Sequence, residues 1–235
     1  MNDAKKYAHA LTDAGKALIH TDWTGVLDVA IALPAEHTQK YVASVRKSHP
    51  HATAAQIAAV LAKNYKNWSG ATSATVGAGA VFPGIGTAVS LGLTGVELAA
   101  FFSATAKYVF ALAYLHGVVP ETVEQRRALV LSSLMGDEGA RLVADQMGIT
   151  GLNWARKTLA ATQASTLQVI NGKIIKRLGN HLTKKWAGRA VGRFVPFGVG
   201  AAIGWFSGRS IAAKVIEGAT AALGPINSGT TPRKY

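Results

Sequence analysis

The chain has no cysteine among its 235 residues, so a disulfide-stapled scaffold and a thiolate nucleophile are both excluded. Charge is scarce as well: Asp, Glu, Lys and Arg make up 16%, against about 25% in an ordinary soluble domain. With 49% hydrophobic residues and a mean hydropathy of +0.19, intrinsic disorder is excluded too. Too few solvating side chains remain for a chain this apolar, and part of it is expected to meet lipid or another protein. The length suits one well-buried domain or two small ones.

Acids are the scarcest charge, and they run out along the chain. Residues 1–150 hold 12 Lys+Arg against 11 Asp+Glu, whereas residues 151–235 hold 13 against the single acid Glu217. Lys173, Lys176, Arg177, Lys184, Lys185, Arg189 and Arg193 fall within about six helical turns. Such a field attracts an anionic surface, unless it is merely a solvated face. A nucleic-acid reader is not expected, because Trp154 and Trp186 are far apart and no zinc-finger or RNP pattern occurs. Anionic membrane lipid is the expected partner, each basic residue near the surface contributing about 1 kcal/mol. A membrane-protein partner is compatible with the same composition.

Strand signals are weak and helix punctuation is frequent, so the predicted fold is an all-α multi-helix bundle. Its division is read as N-terminal helices over 1–50 with a break at Pro34, a helical domain over 51–224 whose basic part is 151–224, and a disordered tail over 225–235. Thr53 and Gln56 have capping-box spacing, opening a helix to about Trp68. Pro120, followed by Glu121 and Glu124, is read as starting another that Gly136 closes. Asp137 is read as the cap of a short helix ending at Gly148. Residues 154–193 read as one or two helices interrupted at Gly172 and Gly179. The first twenty residues mix charged and apolar types without a continuous apolar core, so a cytoplasmic start is expected.

Two stretches depart from amphipathic patterning. Asn67 to Val96 is 30 residues without a charge, and Phe194 to Gly208 is another 15. Proline breaks a helix, so two glycine-rich apolar hairpins are predicted, centred near Pro83 and Pro196. The second stretch would reach roughly 22 Å as a helix, short of the ~30 Å hydrocarbon core. Its Gly198-Val199-Gly200 echoes Gly84-Ile85-Gly86, which suggests pseudo-symmetric halves. Gly188, Gly192, Gly200, Gly204 and Gly208 share a four-residue period, as do Ala80, Gly84, Ala88 and Gly92. That spacing makes a flat stripe for close helix packing. Glu97 and Arg209 are isolated charges bordering these runs. They are expected either to form a buried ion pair or, for Glu97, to end a helix in solvent.

Nucleophile-elbow, zinc-protease and phosphate-loop motifs are missing. His49 and His51 flank Pro50 in a loop pattern without nearby carboxylates. No enzyme, cofactor or metal site is expected.

Gly77-Ala78-Gly79-Ala80-Val81-Phe82-Pro83-Gly84, then Glu97 opening a long helix that ends in Tyr114-Leu115-His116-Gly117, and then Val195-Pro196-Phe197-Gly198-Val199-Gly200-Ala201 together resemble the EcsC protein family. The resemblance spans roughly residues 45–224. It implies a bacterial, helical, hydrophobic protein tied to transport or secretion, with no active site to carry over. The expected protein is non-enzymatic and lies on the cytoplasmic face of the plasma membrane, peripheral or integral. Two other classes remain: a soluble lipid-binding domain or enzyme with a pocket near Glu97, Arg209 and Tyr114, and a pore-former.

Overall fold

A computed structural model describes residues 23–79, 95–149, 153–189 and 199–226, with side-chain surroundings for 23–74, 98–149, 153–178 and 205–226. Among the described residues there are nine α-helices, one 3-10 turn and no strand. The all-α class is as the sequence implies. The helices are α1 Trp23–Ile31, α2 Ala35–Ser48, α3 Ala54–Gly79, α4 Gly95–Leu115, α5 Val123–Leu134, α6 Asp137–Gln146, α7 Trp154–Thr158, α8 Ala164–Arg189 and α9 Val199–Leu223.

Local rules set most boundaries. Pro34 separates α1 from α2, since the residue before a proline is pushed out of the helical region. Thr53 and Gln56 form the reciprocal capping box, Gln56 N–H to Thr53 Oγ1 at 3.3 Å and Thr53 N–H to Gln56 Oε1 at 2.8 Å. The helix they open runs on to Gly79, past the Trp68 end read from sequence. A second box, Thr122 with Gln125, starts α5, so Pro120 lies ahead of the helix and not at its first position. Gly136 occupies the cap position of α6, and Asp137 is its first helical residue, paired with Arg141. α4 ends where Gly117 takes φ +70 and Val118 N–H reaches back to the Ala113 carbonyl.

The core centres on α4, which packs against α1, α2, α3, α5 and α9. From Thr105 to His116 its residues are buried apart from Lys107 and Tyr114. A helix apolar on every side needs neighbours on every side. Leu98–Leu115, with mean hydropathy 1.5, is long and apolar enough to cross a membrane, and 61% of that stretch is buried within the bundle. Lys107, the exception, lays its ammonium over the Tyr41 ring at 4.0 Å. Val26, Leu27 and Ile31 of α1 and Val42 of α2 belong to the same core cluster as Leu129 and Leu131 of α5 and Val215 of α9. The N-terminal helices therefore share one core with the rest.

α8 corrects one expectation: it is continuous through Gly172 and Gly179, and the break falls earlier, at the 3-10 turn Leu159–Ala161. Two interior glycines cost about 1 kcal/mol each. Burial of Leu167, Ile170 and Ile174 outweighs them, at roughly 1.5–3 kcal/mol per large side chain.

The predicted hairpin turns at Pro83 and Pro196, Gly84, Gly92, Gly192 and Arg193, and the tail from residue 227, lie outside the described residues.

Candidate functional site

The basic residues of α8 follow from its amphipathic period. Leu167, Ile170, Asn171 and Ile174 are buried, while Lys173 and Arg177 are exposed on the flank beside α6 and Lys176 is exposed opposite the buried row. Asn171 fixes the helix on α5 through its Nδ2–H to the Glu124 carbonyl at 3.1 Å. Lys184, Lys185 and Arg189 continue along the same helix, their side chains outside the described residues. By helical period Lys184 extends the row of Lys173 and Arg177, whereas Lys185 and Arg189 fall in the row of Leu167, Ile174 and Leu178. The stripe that is apolar in the first half of α8 is thus basic in the second.

Part of the row is already answered within the fold. The Lys173 ammonium donates to Gln146 Oε1, and Arg177 Nη1 lies 3.5 Å from Glu138 Oε1. Arg141 pairs with Asp137 at 2.7 Å. Asp137, Glu138, Arg141, Asp145, Gln146 and Arg177 line a 440 Å³ cleft between α6 and α8. The sequence alone implies only a capping role for Asp137. A signal was available, because Asp137, Arg141 and Asp145 repeat every four residues opposite Ala140, Val143 and Ala144, a charged face needing counter-charges. Lys176 has no partner among the described residues.

The second arrangement is the α3–α9 seam, the most extensive contact among the described helices. A Cβ at Gly208 would overlap the Ser69 carbonyl oxygen and the Ser73 hydroxyl, so only a bare backbone fits there. A Cβ at Gly70 would meet the Trp205 ring at 3.0 Å. Gly188, Gly200 and Gly204 lie on described helices, but their surroundings do not belong to the described residues.

Arg209 donates from Nη1 to Asn67 Oδ1 at 2.7 Å and stands over the Trp205 ring at 5.4 Å. Its described partner is therefore an amide, and the side chain of Glu97 lies outside the described residues. Glu97 and Tyr114 sit near opposite ends of α4, about 25 Å apart along its axis. Glu97 and Tyr114 are therefore not brought into one pocket.

Buried polar groups complete the inventory. His116 is buried with Nδ1 unpaired. Burial, reinforced by the nearby Arg156 charge, pushes its pKa down to about 4. Tyr65 bonds to the Thr105 hydroxyl at 2.7 Å and stacks on Tyr108, and burial pushes its pKa up to about 12. No group of three or more metal-ligating side chains occurs among the described residues.

No protein-family model, curated protein or solved structure matches this chain.

Proposed function

We propose that this is a non-enzymatic, membrane-associated helical protein that engages anionic lipid through its basic C-terminal third, at the cytoplasmic face of a bacterial plasma membrane. The observation that supports it most is the acid-free run between Arg156 and Glu217, carried in part on a helix whose described cations are exposed. Of the described cations of that run on α8, Gln146 engages Lys173 and Glu138 engages Arg177. Lys176, Lys184, Lys185, Arg189 and Arg193 are the residues assigned to phosphate, and their attraction falls with salt over a Debye length of about 10 Å at 0.1 M. The resemblance to the EcsC family and its link to transport or secretion agree with this reading. Close packing of glycine-faced helices is its second element, with Gly208 against α3 as the supporting contact.

Charge reversal of Lys176, Lys184, Lys185 and Arg189 is expected to abolish flotation with vesicles containing phosphatidylglycerol. Undiminished binding by that variant would discard the electrostatic reading. Carbonate and detergent washes separate peripheral attachment from insertion, and release of a trapped dye from liposomes would favour a pore-former instead.

A further inference from the structure

The two uncharged stretches are far apart in sequence, yet the structure brings a border of each together. Lys66 is the last charge on α3 before the stretch that begins at Asn67, and Arg209 is the first charge on α9 after the stretch that ends at Gly208. The bond from Arg209 to Asn67 and the seating of Trp205 on Gly70 hold both borders at one level. Nothing in the spacing of either helix requires that coincidence. At the same level Phe206 is 72% exposed, the most exposed large apolar side chain described, and Trp68 is 37% exposed. Aromatic rings and snorkelling cations at the border of an uncharged helical stretch are the composition of a membrane–water interface.

Resting on the lipid reading above, we propose that the end of the α3–α9 pair bearing Trp68, Trp205, Phe206 and Arg209 is the face that enters the bilayer interface. Phe206 and Trp68 seat at the acyl boundary, while Arg209, carried on the Trp205 ring, reaches the phosphate level. Charge complementarity selects a bilayer over a second copy of the chain. Lys63 and Lys66 precede Trp68 on α3 and Arg209 follows Phe206 on α9, α3 holds no acid, and the only acid of α9 is Glu217, two turns beyond Arg209. A two-fold contact would set these cations against their own copies, whereas an anionic headgroup layer complements them.

The 235-residue chain, free of cysteine, allows a direct test. Ser210→Cys, exposed one turn from Phe206, and Glu36→Cys, exposed on α2, each carry a polarity-sensitive fluorophore and are mixed with vesicles of phosphatidylglycerol and phosphatidylcholine containing a shallow nitroxide lipid. Blue-shifted, quenched emission is expected from the Ser210→Cys label and neither effect from the Glu36→Cys label. Phe206→Ser is expected to weaken vesicle binding about tenfold with the melting temperature unchanged. Equal binding by Phe206→Ser and an unquenched Ser210→Cys label, with wild type still bound, overturns this face and leaves the lipid reading standing. Wild type that fails to bind anionic vesicles removes both. A drop in solution mass from dimer to monomer in Phe206→Ser, measured by light scattering without lipid, assigns the face to a second copy and overturns the proposal.

Discussion

Two regions of the molecule use cations in opposite ways. At the junction of α1 and α5, Arg126 donates to the carbonyls of Pro120, Ile31 and Leu33 at 3.1 to 3.3 Å, closing the end of α1. Its neighbour Arg127 grips both carboxylate oxygens of Asp28, at 2.6 and 2.7 Å. On α8 the described cations Lys173, Lys176 and Arg177 are exposed. Arg177 reaches a carboxylate at 3.5 Å with both groups more than half exposed, and Lys176 reaches none of the described residues. A basic residue is structural where apolar neighbours bury its stem and an acceptor faces its head. Where neither holds, its charge is free to act on something outside the fold.

The contrast breaks most visibly at glycines. Gly208→Leu on the packed seam is expected to cost more than about 3 kcal/mol, because the Ser69 carbonyl oxygen that it would strike is backbone and cannot rotate away. Gly172→Leu on the open side of α8 meets nothing within 4 Å. It should be neutral or slightly stabilising through helix propensity. Urea unfolding of both variants checks this, and equal losses would erase the distinction between packed and open sides.

Acid tests the packed side by another route. His116 is held neutral with a pKa of about 4, below the 6.5 of a free imidazole. Unfolding therefore takes up a proton between those values, and stability is full above pH 6.5 and falls as the pH drops toward 4. The loss from this one group is about 3 kcal/mol. His116→Met should flatten that part of the stability profile, measured as unfolding midpoints from pH 7 to pH 4. An unchanged slope would show that other groups carry it.

Smaller effects separate the cations themselves. Arg126→Met should cost about 2 kcal/mol, since three carbonyls lose a charged donor, with no effect on vesicle binding. The charge reversal at Lys176, Lys184, Lys185 and Arg189 should do the reverse, shifting stability by less than about 0.5 kcal/mol while removing lipid binding. If the α8 variant unfolds and the α5 variant does not, the assignment of structural and free cations is inverted.

The amino-acid sequence determined the helical class, the breaks at Pro34 and the start of α3 at Thr53, and the migration of charge into an acid-free third. Each of these depends on residues a few positions apart or on composition, so no tertiary contact is needed to read it. Tertiary structure decided the rest. Whether α8 broke at Gly172 depended on burial of Leu167 and Ile174 against other helices. Glu138 became a counter-charge to Arg177 only when α6 was laid beside α8. Arg209 met Asn67, 142 positions away, because α3 and α9 approach closely enough at Gly208 to bring two charge borders level. Local spacing fixes which side of a helix a residue occupies, but which other helix that side meets is set by how the whole core packs.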